Sequence, residues 1–235
     1  MQGKIIDKKE IAKATLQVTF EIPDEQFTFK PGQYAFITLV TPPYPDERSN
    51  KRHFSIVNSP NQKHIITIAT RIRDSGFKKS LQELPNNSLV EIGPIAGGFI
   101  LPSENNRPLV FIAGGIGITP FISMLSYIKE EHLPYQITLI YSNRDQSSAA
   151  YVKELQELAR TLPNFRLILT MTEDTSWVGE NRRVDVQLIK DYTKNLKNPL
   201  YFVVGPPAMV DAIQKTLLEA GVNPENINIE NFTGY

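Results

Sequence analysis

"PLVFIAGGIGITPFISMLSYI", Pro108 to Ile128, runs twenty-one residues without a charge, and the fold depends on whether it crosses a membrane or turns around a ligand. A transmembrane helix needs about 20 predominantly apolar residues, so length alone permits a span. The interior argues against one. Gly114, Gly115, Gly117 and Pro120 crowd the middle, where each Gly lowers helix propensity and Pro removes an amide donor. The two ends also keep different periods: Leu109 to Ala113 is a continuous apolar run of strand length, while Phe121, Met124, Leu125 and Ile128 recur at helical spacing. The stretch reads as strand, glycine turn and helix, with Thr119 as N-cap and Pro120 as the first helical residue.

Downstream the same alternation continues. Strand-like "QITLIYS", "FRLILTM", "LYFVVG" and "NINIEN" are interleaved with helical "AAYVKELQELART", "RVDVQLIKDY" and "AMVDAIQKTLLEAG", which predicts a parallel sheet covered on both faces. Upstream the pattern differs. "TLQVTFEI", "QYAFITLV", "HFSIVN", "HIITIATRI" and "SLVEIG" are short alternating or β-branched runs separated by "KPGQ", "TPPYPDERSN" and "SPNQ". With one brief helical candidate, "FKKSLQEL", they predict a small antiparallel barrel. The polar segment 102–108 is the natural boundary, giving domains 1–102 and 103–235.

Composition narrows the function. Basic and acidic residues number 25 each, so net charge argues neither for nucleic acid nor for an acidic membrane surface. Residues 1 to 102 hold 13 basic and 10 acidic residues, a bias too weak to name a partner. Cysteine is absent, which excludes disulfides, thiolate zinc sites, a Cys nucleophile and a Cys-ligated iron–sulfur cluster in this chain. His53, His64 and His132 show no metal-ligand spacing, so no metal site is expected. The N-terminal residues lack the apolar core of a signal peptide. A cytoplasmic protein with no integral membrane segment is the expectation.

In an open parallel sheet, ligands bind beyond the carboxyl ends of the strands. "AGGIGITP" stands at such an end, where glycine permits close backbone approach and a helix start offers free amides to a phosphate. The spacing is not G-x-G-x-x-G, and a tight turn that merely packs helix on strand is the alternative. "YFVVGPPAMVDAIQKTL" repeats the arrangement around Gly205, Pro206 and Pro207, and two glycine-edged strand ends make a better cleft than one. In the barrel half, "KRHFSIVN" puts Arg52 and Phe54 on one face of a strand and Ser55 on the other. A cation, an aromatic ring and a hydroxyl suit a phosphate-bearing ring system, or serve as ordinary strand decoration.

Taken in order, these pieces resemble the ferredoxin–NADP reductase superfamily of flavin and nicotinamide oxidoreductases. "KPGQYAFITL" is similar to its P-G-Q-Y strand, "RHFS" to its R-x-Y-S flavin motif and "GPIAGGF" to its G-P-x-G-x-F turn. "AGGIGITP" resembles its nicotinamide-nucleotide motif, "VGPPAMV" its C-G-P-P-x-M segment, and "IENFTGY" a C-terminal strand ending beside the flavin. The resemblance implies a six-stranded antiparallel flavin-binding barrel followed by a parallel-sheet NAD(P)-binding domain. It implies that Arg52, His53, Phe54 and Ser55 form the flavin motif, with Arg52 on the phosphate, Phe54 against the ring and Ser55 bonded to N5, where a hydroxyl can both donate and accept. Arg71, Lys78, Lys79 and Ser80 would surround the flavin phosphate, and that much positive charge favours FAD over FMN. Gly114, Gly115, Gly117 and Thr119 would cradle the nucleotide pyrophosphate, Gly205, Pro206 and Pro207 would border the nicotinamide, and Glu230 and Phe232 would flank the flavin.

The chain departs from the family pattern at Phe54 for the usual Tyr, Val204 for the usual Cys, a flavin turn one residue longer, and Lys79 in a slot often held by Ser, with Ser80 one place late. The implied function is an NAD(P)H-dependent flavoprotein reductase. It would pass hydride from NADPH or NADH to FAD and electrons on to a separate acceptor: a ferredoxin-like protein, a haem protein or a small molecule. A free-flavin reductase and a non-catalytic flavin- or nucleotide-binding module are the rivals. Beyond the second strand, "LIYSNRD" offers Arg144 before Asp145, which favours NADPH, and Arg182 or Arg183 could add a second cation.

Overall fold

The computed structural model describes residues 1–23, 27–103 and 106–233. Glu104 and Asn105 of the boundary segment, and Gly234 and Tyr235 of the C-terminal motif, lie outside the described residues. Packing divides the described residues into two units: those of Met1–Leu101 together with Thr119–Tyr127, and those of Pro102–Ile118 together with Ile128–Thr233.

The first unit is built on six antiparallel strands, β1 (Gln2–Ala12), β2 (Thr15–Glu21), β3 (Tyr34–Leu39), β4 (Lys51–Ser55), β5 (Ile65–Arg71) and β6 (Leu89–Ala96), with helix α1 (Gly76–Glu83) between the last two. Their order is β4-β3-β6-β1-β2-β5. Beyond β4 the Val57 amide donates to the Thr67 carbonyl at 2.8 Å and the Asn58 side chain accepts from the Thr67 amide at 2.7 Å, so the ends of the sheet meet. Alternation sends Val18, Phe20, Ile37, Leu39, Ile66, Ile68, Val90 and Ile92 into one core. "HFSIVN" was expected to remain a strand throughout, yet the ladder stops at Ser55 because Ile56 to Asn58 turn to make this closure.

β1, the one strand of the six outside the five runs read from sequence, has no clean alternation: Asp7, Lys8 and Lys9 interrupt it, and its pairing with β2 is irregular between Ile5 and Asp7 and again between Glu10 and Ala12. Lys8 compensates for its place there by donating through Nζ to the carbonyls of Gln82 and Leu84, satisfying acceptors at the end of α1 that the helix itself leaves open.

The segment 119–127 packs within this unit. It is most of helix α2 (Thr119–Glu130). Ser123 Oγ donates to the Asn58 carbonyl at 2.7 Å, and the Phe121 ring lies 5.8 Å from that of Phe99. Thr119 was expected to cap this helix from outside. Instead the glycine turn is itself wound, as a 3₁₀ turn over Gly115–Ile118, and runs straight into α2, so that Thr119 is the first helical residue and Pro120 the second.

The second unit carries a five-stranded parallel sheet, β7 (Leu109–Gly114), β8 (Ile137–Asn143), β9 (Phe165–Met171), β10 (Leu200–Gly205) and β11 (Ile227–Asn231), with helices α3 (Val152–Thr161), α4 (Val186–Tyr192) and α5 (Pro207–Glu219). Every residue of β7 is buried, as expected of a central parallel strand covered on both faces. The strand order is β11-β10-β7-β8-β9. The chain steps outward from β7 through β8 to β9, returns to the other side of β7 as β10, and ends at β11. The reversal makes the carboxyl ends of β7 and β10 the topological switch point, the usual ligand crevice of an open parallel sheet. No helix among the described residues is long and apolar enough to cross a membrane.

Candidate functional site

In the barrel unit the candidate residues gather at the start of α1. Ser75 caps the helix, its side chain accepting from the Lys78 amide at 3.2 Å. The loop between β3 and β4 folds over this end: the Tyr44 amide donates to Ser80 Oγ at 3.0 Å, and Ser80 Oγ donates to the Tyr44 carbonyl at 3.1 Å. Gly76 is required there, since a Cβ would run into the backbone of Pro45. Asp46, from the same loop, reaches in. Its Oδ1 pairs with Arg52 Nη2 at 2.6 Å, and its Oδ2 accepts from the Phe77 amide at 2.8 Å. Burial opposes the charge on Asp46, but the amides of Phe77 and Arg48 and the Arg52 guanidinium hold its carboxyl below the usual range.

Arg52 is thus part of an ion pair whose members are only 7% and 6% exposed. Its Nη1 is spent on the carbonyls of Ser49 and Lys51, both at 2.8 Å. Lys78 is buried beside it. Burial, reinforced by Arg73 and Arg52, pushes the Lys78 amine down to about 8, so at pH 7 it still carries charge. Two buried cations, Arg52 and Lys78, and one carboxylate, with the exposed Arg73 within electrostatic reach, form a site that a phosphate group would relieve. The Phe54 ring stands 5.8 Å from Phe77, and the Arg52 guanidinium lies over the same Phe77 ring at 5.5 Å, so Arg52 and Phe54 share the face that α1 covers. Ser55 is buried at the end of the strand.

Not every residue named from sequence joins this group. His53 takes the opposite face of β4, packing among Tyr34 and Phe36 at 5.1 and 5.8 Å. Arg71 donates to the Lys13 carbonyl at the β1–β2 turn. Lys79 is exposed and lies over the Tyr44 ring at 4.0 Å, while Ser80 is fully engaged with the loop. Two residues that sequence reading passed over, Asp46 and Arg73, do belong. Their signal was slight: an acid six residues before Arg52 in a turn-rich loop, and one more cation just before α1.

In the second unit the two glycine turns meet. Gly114 ends β7 and Gly205 ends β10, and a Cβ on Gly205 would sit 3.2 Å from the Gly114 Cα. A Cβ on Gly117 would come within 2.7 Å of the Val204 carbonyl oxygen, so the 3₁₀ turn lies flat against the neighbouring strand end. Pro206 precedes α5 and Pro207 opens it, leaving Met209 packed on Gly114. No charged side chain interrupts this edge from Gly114 to Thr119 or from Gly205 to Met209.

Farther along, the Phe232 amide donates to the Gly205 carbonyl at 2.9 Å, which ties the C-terminal segment to the same edge. Glu230, opposite Val204 in β11, has a buried Oε2 without a hydrogen-bond partner among the described residues, and burial pushes its carboxyl up to about 7. Arg144 follows β8 with its side chain exposed and outside any ion pair among the described residues, as is Arg183. Arg182 is committed elsewhere, bonded to Glu180 at 2.7 Å and Asp191 at 2.8 Å.

A six-stranded antiparallel barrel followed by a parallel sheet with its switch point edged by glycine defines a two-unit class of flavin- and nucleotide-binding folds. The chain belongs to the ferredoxin–NADP reductase superfamily of flavin and nicotinamide oxidoreductases. Residues 111–215 match the family model described as an oxidoreductase NAD-binding domain. Among curated proteins, the chain is 30% identical to the 2-halobenzoate 1,2-dioxygenase electron transfer component of Burkholderia cepacia, over 99% of this chain and 67% of that protein. It is 31% identical to sulfhydrogenase 1 subunit gamma of Pyrococcus furiosus, over 88% and 70%. A solved ferredoxin NADP+ reductase from Neisseria gonorrhoeae with bound FAD and NADP superposes with a TM-score of 0.81 at 20% identity, covering 100% of this chain and 98% of that one. The chain spans from about half to seven tenths of the length of the curated relatives it matches.

Proposed function

We propose that this protein is an NAD(P)H-dependent flavoprotein reductase in which residues 1–102 hold FAD and residues 103–235 hold NADPH or NADH. A bound flavin would supply the redox chemistry, taking hydride from a nicotinamide and passing electrons to a separate acceptor, while the chain's own residues would bind and orient both groups. Arg52 and Lys78 hold the flavin phosphates, with Asp46 fixing the guanidinium. Phe54 lies along the ring and the Ser55 hydroxyl serves N5. Gly114, Gly115, Gly117 and Thr119 present backbone to the nucleotide pyrophosphate, and Gly205, Pro206 and Pro207 leave room for the nicotinamide. Phe232 and Glu230 act from the last strand, and Arg144 meets a 2′-phosphate.

The observation that carries this reading is the pair of buried cations at the start of α1, Arg52 and Lys78, set beside the Asp46 carboxylate on the face shared with Phe54. A fold that wanted only stability would not bury Lys78 there. The electron acceptor is a ferredoxin-like protein, a haem protein or a small molecule, in line with relatives named as an electron transfer component and as flavohemoproteins.

The test is to purify the protein, record its visible spectrum, and chromatograph whatever is released on denaturation. FAD in stoichiometric amount is expected. FMN alone would return the extra positive charge to a structural role, and a colourless protein that takes up no added flavin would overturn the reading.

A further inference from the structure

The chain from Ser55 to Ser59 is buried throughout, yet the ladder of β4 stops at Ser55. Backbone groups in a buried, irregular run need partners from elsewhere in the fold, and here they come from three directions. The Ile56 amide donates to the Gln33 carbonyl at 2.9 Å, and the Val57 amide to the Thr67 carbonyl at 2.8 Å. Asn58 spends its whole carboxamide: Oδ1 accepts from the Thr67 amide at 2.7 Å, and Nδ2 donates to the Ser59 and Ile65 carbonyls, both at 3.2 Å. The Asn58 carbonyl is met by α2, whose Ser123 hydroxyl donates to it at 2.7 Å.

Ser123 is wholly buried in the middle of that helix. Serine is a poorer helix former than alanine, and its hydroxyl ordinarily turns back to a carbonyl of its own helix. A site that needed only a small side chain would be better served by alanine; the hydroxyl is there for Asn58. The same helix touches two further segments of the barrel unit. The Phe121 ring packs against Phe99 at 5.8 Å, and the Met124 methyl fills the space that a side chain at Gly32 would need. Gly32 belongs to "KPGQYAFITL", Phe99 to "GPIAGGF", and Asn58 follows "RHFS" by three residues. One turn of α2, from Phe121 to Met124, therefore braces all three barrel motifs.

The closure of the barrel is made by Val57 and Asn58 on Thr67. What the Ser123 bond adds is a fixed position for the chain just beyond Ser55, and a close-packed interior transmits small displacements over so short a run.

We infer that Ser123 is a positioning residue: by holding the Asn58 carbonyl it fixes the chain beyond Ser55 and keeps the Ser55 hydroxyl aimed at the flavin N5. This rests on the assignment of Ser55 to N5 above.

The experiment measures the midpoint potential of the bound flavin in wild type, Ser55→Ala, Ser123→Ala and the double variant, with the thermal midpoint of each protein. N5 changes from acceptor to N–H on reduction, so the geometry of its hydroxyl partner is read by the potential, which a packing contact elsewhere leaves alone. Ser123→Ala is expected to move the potential in the same direction as Ser55→Ala and by a smaller amount, with a thermal midpoint lower by a few degrees. In the double variant the potential should stop at the Ser55→Ala value while the thermal loss still appears, because both residues act on the potential through one hydroxyl. Should Ser123→Ala shed its flavin, Ser123→Cys, nearly the same size with a weaker donor, is read in its place and is expected to give a smaller shift of the same sign. An unchanged potential beside a lower thermal midpoint would mark an ordinary structural bond and overturn the inference. So would shifts that add in the double variant. If Ser55→Ala itself leaves the potential unmoved, the N5 assignment falls and this inference falls with it, whereas flavin content judges Arg52 and Lys78 separately.

Discussion

The barrel unit and the parallel-sheet unit build their candidate sites from opposite materials. At the start of α1, Arg52, Lys78 and Asp46 are all more than nine-tenths buried, and two of them are locked 2.6 Å apart. At the carboxyl edge of β7 and β10 backbone packs on backbone, Gly205 against Gly114 and Gly117 against the Val204 carbonyl, with no charged residue in either turn. Buried charge is held in one arrangement by its partners and is costly to disturb, which suits a group that stays. An edge of backbone amides and carbonyls holds a phosphate by dipoles that need no counter-charge when it leaves. The difference explains how one chain would keep a flavin and exchange a nicotinamide nucleotide.

The comparison breaks most visibly at Arg52. Arg52→Ala strips the partner from a buried carboxylate, and unfolding stability should fall by about 3–5 kcal/mol, read by urea denaturation at pH 7, together with loss of bound flavin. A drop below about 1 kcal/mol, the range of an exposed pair, would mean the cluster is solvated and the contrast between the units is illusory.

Gly117→Ala tests the other side. Its Cβ would meet the Val204 carbonyl, a backbone atom that cannot swing away, so a cost of about 1–3 kcal/mol is expected. Flavin content should remain at the wild-type level while nucleotide affinity falls. Loss of flavin from this variant would show that the two sites are not separable.

Glu230 sharpens the comparison by pH. Its carboxyl titrates at about 7, raised from an ordinary 4.5 by burial. Below 4.5 it is neutral in both folded and unfolded chains; between 4.5 and 7 the unfolded chain releases the proton first, so the native state loses stability as pH rises, and above 7 the loss is complete. Glu230→Gln should therefore gain on wild type across that window and hold its advantage at pH 8. Parallel stability curves would place the carboxyl in water.

The smallest effect belongs to Arg144. Arg144→Ala should lower kcat/KM for NADPH by several-fold and leave NADH nearly unchanged, since one exposed charged contact contributes about 0.2–1 kcal/mol. Equal losses for both nucleotides would remove it as the reader of the 2′-phosphate.

How much of this was legible differs between the units for the same physical reason. The parallel sheet announces itself because its strands are buried on both faces, so "LVFIA" and "LYFVVG" stand out as unbroken apolar runs, and glycine at the strand ends is required by backbone contact at Gly114, Gly117 and Gly205. The barrel's β1 was hidden because its outward charges interrupt the alternation, and one of them, Lys8, is employed at the end of α1. Asp46 was illegible for a deeper reason. Nothing in "TPPYPDERSN" says that a loop acid will meet a helix start 31 residues further along the chain and enter an ion pair; that is a tertiary contact with no local period. Arg71 and Arg73 show the limit as well, since two residues of separation at the end of β5 send one side chain to the β1–β2 turn and bring the other within electrostatic reach of Lys78.

The central claim is that this chain carries hydride from a nicotinamide to a flavin it holds. The direct measurement is anaerobic stopped-flow absorbance of the purified, flavin-loaded protein mixed with NADPH or NADH. Rapid bleaching of the flavin band near the start of the reaction, faster with NADPH and slowed in Ser55→Ala without loss of bound flavin, is the result expected. A flavin band that persists with both nucleotides would contradict the account and leave a binding module in place of a reductase.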